Sequence, residues 1–268
     1  MGDGRLAGRV ALITGGGSGI GLAAVHAFAA EGARVVLAGR RAEVGEAAAA
    51  EVVAAGGDAH FVPADVSSSA DVAALVDACV SRHGRLDCAF NCAAVGGQGA
   101  LCADIEEEDF DRVVATNLKG VWLCMKYEIR AMLPRAGAIV NMSSIDGLTS
   151  SANAAAYSAS KHGVEGLTRT AAVEYGAAGI RVNALAAGGF ATEALARSHG
   201  HDLGWVEAYR SPAVPLGRLG DPVEAAVAAV WLCSEESAYV TGHTLVVDGG
   251  QLADSASYIP LRRLAPKS

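Results

Sequence analysis

Short apolar runs alternate along this chain with longer stretches of helical periodicity. The first run, residues 10–13, passes through glycines into a helical pattern that ends near Ala30. Further runs stand at 34–38, 60–62, 88–90, 138–142, 181–184 and 245–247, with helical patterns at 42–55, 70–81, 107–133 and 155–175 among them. Asp221 before Pro222 opens one more helix, the aspartate as cap and the proline at the first helical position, where its missing N–H costs nothing. The runs are apolar throughout rather than alternating, as strands covered on both faces must be. Seven such strands separated by helices predict an α/β fold, a doubly wound sheet of seven mainly parallel strands flanked by helices. No Pro-, Gly- or Ser-rich linker divides the chain, so residues 1–268 read as a single domain. Residues 192–215 break the alternation with His199, His201, Trp205, Tyr209 and two prolines, and read as a substrate loop. Residues 251–268 read as a C-terminal tail, either disordered or packed on a neighbouring subunit through Tyr258, Ile259 and Leu261.

Composition narrows the partners. A 51% hydrophobic chain of 268 residues supports a sizeable core. A formal net charge of −8 disfavours nucleic acid. The six cysteines form no C-x-x-C pair, so they read as free thiols in a reducing compartment, with no metal. His199 and His201 alone do not make a metal site, and the acidic run at 106–109 suits a helix N-terminus. The start of the chain lacks an apolar targeting core, and the apolar run at 225–233 is far short of the ~20 residues of a membrane span. A cytoplasmic protein without membrane contact is the expectation.

Chemistry enters at the turn after the first strand. Gly15, Gly17, Ser18, Gly19, Ile20 and Gly21 lie between a strand and a helix, where glycines admit a pyrophosphate and the helix end offers free N–H groups. The Rossmann spacing G-x-G-x-x-G fails because Ile20 stands where the third glycine belongs; G-x-x-x-G-x-G fits at Gly15, Gly19 and Gly21. The second strand ends at Gly39 without the acidic residue that binds a ribose 2′-hydroxyl, and Arg40 and Arg41 stand there instead. Arginine suits a 2′-phosphate, so NADP(H) is favoured over NAD(H). Tyr157 and Lys161, four residues apart, share one helix face. A cation near a phenol favours the phenolate and lowers its pKa.

With these motifs in order the chain resembles the short-chain dehydrogenase/reductase family. Residues 14–21 match its T-G-x-x-x-G-x-G, and Tyr157 with Lys161 its Y-x-x-x-K. Ser144 precedes the tyrosine by 157 − 144 = 13 residues, Asn117 opens an N-x-x-G, Asp65 and Val66 follow the third strand, and residues 246–250 match the family's late V-x-D-G-G. The resemblance runs from about Leu6 to Gly250, and it implies a Rossmann-type fold and hydride transfer between NAD(P) and a secondary alcohol or ketone. Tyr157 would be the general acid/base, Lys161 would lower its pKa and bind the nicotinamide ribose, Ser144 would donate to the substrate oxygen, and Asn117 would hold a water leading to Lys161. Asn91, Ala93, Gly188, Phe190 and Thr192 would complete the cofactor site. Ser144 and Tyr157 would meet the substrate beside Val95, Ile145, Asp146, Asn153 and Gly189. A homotetramer or homodimer is implied as well. Two departures stand out: N-N-A-G is Asn91, Cys92, Ala93, Ala94, and P-G-x-x-x-T begins at Ala187 and Gly188. They motivate the alternative of a non-catalytic dinucleotide-binding sensor or scaffold.

Overall fold

The computed structural model describes residues 4–133 and 135–254. The tail residues 255–268 lie outside the described residues; 251–254 form a turn. Seven strands, β1 (Val10–Thr14), β2 (Arg34–Gly39), β3 (Asp58–Pro63), β4 (Cys88–Asn91), β5 (Gly137–Ser144), β6 (Ile180–Ala187) and β7 (Thr244–Val247), form one sheet in the order β3-β2-β1-β4-β5-β6-β7. Every neighbouring pair is parallel. The helices are α1 (Gly19–Ala30), α2 (Ala42–Ala54), α3 (Ser69–His83), α4 (Glu107–Val114), α5 (Gly120–Met132), α6 (Ala155–Tyr175), α7 (Glu193–His199), α8 (Leu203–Arg210) and α9 (Pro222–Cys233).

The apolar runs have a direct physical reading. Successive side chains of a strand point to opposite faces. Ala11 and Ile13 of β1 pack with Phe28 of α1 and Val230 of α9, while Val10 and Leu12 pack with Leu75 of α3, Ile129 of α5 and Val164 of α6. Both faces are therefore covered, and an apolar residue is needed at every central position. Phe28 is fully buried in the first layer, and Phe28→Ala would cost about 3–5 kcal/mol.

Two expectations need correction. The edge strand β3 is not apolar throughout: Asp58 and His60 are exposed while Ala59 and Phe61 are buried, because α2 covers one face closely and the start of the other is left to solvent. The helix expected at 107–133 is interrupted. Residues Ala115–Lys119 form a π-helical turn between α4 and α5, an extra-residue bulge that redirects side chains and often marks functional sites. The strand order reverses between β1 and β4, and at that switch point a crevice opens at the carboxyl ends of the strands.

Candidate active site

The crevice is a cavity of about 750 Å³ walled by the loops after β1, β2, β3, β4, β5 and β6 and by the segment at α7. One end is built from backbone. Gly15 has φ +71°, and a Cβ there would lie 2.9 Å from the Ala93 Cα. A Cβ on Gly21 would sit 2.1 Å from the Gly15 carbonyl oxygen, so α1 can start against its own turn only with glycine. A Cβ on Gly17 would press on Val44 at 3.0 Å. The turn thus forms a bare cradle at the start of a helix, which is what a pyrophosphate requires. Thr14 braces it: its Oγ1 accepts from the N–H groups of Cys92 and Ala93 at 3.1 and 3.2 Å. Ser18, Gly19 and Ile20 line the cavity with them, and Arg40, Arg41, Asp65 and Val66 line the far side. Arg40 reaches Asp65 at 3.9 Å, with its side chain 69% exposed. Two hydrogen bonds from Ser67, backbone and hydroxyl, hold the Asp65 carboxyl below its usual range, and Arg40 adds to this.

The other end is built from side chains. Ser144 ends β5, where its Oγ accepts the Asp146 N–H at 3.1 Å and caps the short turn that follows. It also stands close enough to the Tyr157 phenol to pull that group's pKa down against burial. A hydroxyl that accepts from Asp146 keeps its own hydrogen to donate. Ser143, its neighbour on β5, is buried with no partner for its Oγ among the described residues. Lys161, 1% exposed, donates to the Met142 carbonyl at 2.8 Å and stands 5.6 Å from the Tyr157 ring centre. Its pKa falls to about 8 because burial disfavours the ammonium. Asn153 occupies the left-handed region at φ 64°, which asparagine tolerates better than most residues, and lines the cavity with Val95, Ile145, Asp146 and Gly189.

Three expectations are corrected. Lysine was expected to lower the tyrosine pKa, but burial pushes it up to about 12; Asp146 and Cys92 add to the rise, and the nearby Ser144 hydroxyl opposes it. Lys161 is turned toward Met142 rather than the phenol oxygen. Asn91 does not line the cavity. It is 1% exposed, and its Nδ2 donates at 3.0 Å to both Glu128 and Asn141 beneath the sheet. Asn117 also stands behind the wall. Its Oδ1 accepts from Val95 N at 2.8 Å and its Nδ2 donates to Val95 O at 2.9 Å, so it clamps the loop after β4. The π turn is what aims it there. Gly188, Phe190 and Thr192 do line the cavity. Thr192 Oγ1 accepts the Leu195 N–H at 3.2 Å as the cap of α7, and its methyl lies 3.2 Å from where a Gly19 Cβ would be.

Sequence reasoning missed Thr14 as the brace of the glycine turn and Arg210 as a wall of the cavity. Thr14 heads the glycine motif, so its position was a usable signal. Cys92, noted in the sequence only as a departure from N-N-A-G, lines the cavity near Lys161, with burial pushing its pKa up to about 12.

Residues 15–251 match a family model of this kind, described as enoyl-(acyl carrier protein) reductase. The chain belongs to the short-chain dehydrogenase/reductase family. It is similar to 2,5-dichloro-2,5-cyclohexadiene-1,4-diol dehydrogenase of Sphingobium indicum, 43% identical over 91% of this chain and 97% of that protein. It is also similar to A-factor type gamma-butyrolactone 1′-reductase (1S-forming) of Streptomyces virginiae, 45% identical over 92% of this chain and 97% of that one. The crystal structure of levodione reductase superposes with a TM-score of 0.88 at 37% identity, covering 93% of this chain and all of that chain. This short-chain dehydrogenase/reductase is an NAD(P)-dependent oxidoreductase of CH–OH and C=O groups. The scaffold alternative finds no support among relatives named as catalysts.

Proposed function

We propose that the enzyme interconverts a medium-sized secondary alcohol and its ketone, with Tyr157 exchanging the proton and NADP(H) preferred. The observation that carries this is the shared hydroxyl geometry: the Ser144 Oγ, anchored by Asp146 N, meets the Tyr157 phenol at the mouth of the glycine cradle. A ring-borne alcohol is the first substrate class to try, since one relative is named for a cyclohexadienediol.

Gly15, Gly17, Ser18, Gly19, Ile20 and Gly21 would hold the pyrophosphate, Asp65 and Val66 the adenosine, Arg40 and Arg41 a 2′-phosphate, and Ala93, Gly188, Phe190, Thr192 and Lys161 the nicotinamide riboside. When bound, the nicotinamide supplies or accepts the hydride. Ser144 and Tyr157 then bind the reacting oxygen between two hydroxyls. In reduction the neutral phenol donates its proton to that oxygen as negative charge develops there, while Ser144 donates a second hydrogen bond. A phenol at about 12 is poised for this direction; oxidation calls for a phenolate, which a protonated Lys161 turned toward the ring would favour. Asn117 serves by holding Val95 and the wall of the substrate pocket. The segment at 192–215 acts as the lid. Assembly as a cytoplasmic homodimer or homotetramer belongs to the same reading, and sedimentation tests the assembly.

The test is a panel of secondary alcohols and ketones, beginning with cyclohexanol and cyclohexanone, assayed with NADPH or NADH and their oxidised forms. Turnover by the wild type and its loss in Tyr157→Phe, with NADPH binding intact, is expected. Unchanged turnover in Tyr157→Phe would sink the role given to the phenol.

A further inference from the structure

Arg210 is the last residue of α8, and its guanidinium lines the same cavity as Ser144 and Tyr157. It enters from the lid side, whereas the two hydroxyls come from β5 and α6. Its Nε lies 3.7 Å from where a Gly189 Cβ would be, and the Leu219 side chain lies 3.0 Å from the same point. Arg210 and Leu219 thus both pack beside the bare backbone of Gly189. A side chain at 189 would press on Leu219 and come into ordinary contact with Arg210.

The acids of the cavity do not neutralise it. Asp146 accepts from the Ser151 hydroxyl at 2.6 Å, Glu193 pairs with Arg197 at 3.2 Å, and Asp65 faces Arg40 at the opposite end. Among the described residues the Arg210 guanidinium has no ion pair and no hydrogen bond. Its neighbour on the wall, His199, has Nδ1 3.0 Å from the Leu195 carbonyl, a bond in which the imidazole must donate. The Ser198 hydroxyl lines the cavity beside it. A partly buried guanidinium with five donors and no acceptor facing it is matched by a carboxylate, which it can grip with two parallel hydrogen bonds. One cation suits one negative charge, and a phosphate dianion would call for a second cation.

We propose that Arg210 anchors the substrate through a carboxylate, so that the preferred substrate is a ketone or secondary alcohol bearing a carboxylate away from the reacting carbon. This rests on the reading above that Ser144 and Tyr157 hold the reacting oxygen. Arg210 sets specificity and takes no part in proton transfer.

The experiment compares 4-oxocyclohexanecarboxylate with its neutral twin, 4-oxocyclohexanecarboxamide, in the wild type, Arg210→Gln and Arg210→Lys. The wild type should prefer the carboxylate by about tenfold or more in kcat/KM, the range of a good charge-assisted contact. Arg210→Gln should raise KM for the carboxylate by a similar factor, leave the carboxamide within about twofold and leave NADPH affinity unchanged, and Arg210→Lys should recover part of the loss. Equal kcat/KM for the twins, an equal loss for both in Arg210→Gln, or weakened NADPH binding would overturn the proposal. Calorimetry with unreactive cyclohexanecarboxylate and bound NADP supplies a reading free of turnover. Binding lost in Arg210→Gln supports the anchor even if neither ketone reacts, and in that case the proton-transfer reading fails instead. Equal binding by both proteins contradicts the anchor.

Discussion

The two ends of the cavity are made of different material. The cofactor end is backbone: a turn in which Gly15 and Gly21 leave no room for a Cβ and Gly17 little, held by Thr14 and backed by buried strands. The substrate end is side chains on short elements, with Asn153 on an exposed loop, Arg210 at the end of α8 and two lid helices of seven and eight residues. A backbone cradle tolerates almost no substitution and recognises a constant group. A wall of side chains on short helices can change one residue at a time and thereby choose a substrate. On the proposed reading the cofactor is carried by the rigid end, the reaction type by the Ser144 and Tyr157 hydroxyls on the long β5 and α6, and the choice of substrate by the lid.

The sharpest way to break this contrast is to place a methyl group in the cradle. Gly21→Ala collides with the Gly15 carbonyl. It should weaken NADPH binding by about a hundredfold or more, equivalent to about 3 kcal/mol, as read by fluorescence titration. A folded Gly21→Ala protein with wild-type NADPH affinity would show that the turn is not the pyrophosphate site. Next in size is Ser144→Ala, expected to lower kcat by about 10²–10³ while cofactor affinity holds, the scale of one lost donor to a developing oxyanion. Arg40→Ala should cost about fivefold in NADPH affinity and little in NADH affinity, since one screened contact to a 2′-phosphate is worth roughly 1 kcal/mol. An equal loss for both would mean that Arg40 ignores the 2′ position.

Glu128 sharpens the comparison from beneath the sheet. It is fully buried, and burial pushes its carboxyl up to about 8, against the bond from Asn91. Because the folded-state pKa lies above the unfolded one, this group's contribution is complete below the ordinary carboxylate range. It is lost progressively as the pH rises toward about 8. Glu128→Gln should flatten the fall in melting temperature between pH 5 and pH 8, a difference on the order of 1–3 kcal/mol. An unchanged slope would mean that the Glu128 carboxyl titrates as an ordinary one. The smallest effect belongs to the lid. Asp202 caps α8 through the Trp205 N–H at 2.9 Å, so Asp202→Ala should cost about 1 kcal/mol of local stability. Substrate KM should rise while NADPH affinity stays put. A matching loss of NADPH affinity would show the lid and the cradle to be one unit.

What was legible in the chain follows the same division. The glycine turn, the apolar strands and the spacing of Ser144, Tyr157 and Lys161 are local patterns whose geometry follows from being on a strand end or a helix. The fold and the residues around the cavity were accordingly readable. The directions of Asn91 and Asn117 were not. Asn91 turns under the sheet to meet Glu128 and Asn141, partners 37 and 50 residues away, and Asn117 is aimed by a π turn that helical periodicity does not reveal. The rise in the Tyr157 pKa was equally hidden, because four-residue spacing reports proximity to a lysine while burial is set by the whole surrounding fold. Arg210 was hidden for a third reason: its place in the wall follows from how α8 packs beside Gly189 in the loop after β6, which local spacing does not report.

The central claim is that Tyr157 moves the proton in a cavity whose glycine cradle holds the cofactor. The most direct test follows single-turnover reduction of a ketone substrate by NADPH deuterated at C4, in wild type and Tyr157→Phe. The account predicts deuterium on the carbinol carbon in the wild type, and in the variant unchanged NADPH affinity with a transfer rate lower by about 10²–10⁴. Transfer at the wild-type rate in Tyr157→Phe would contradict it.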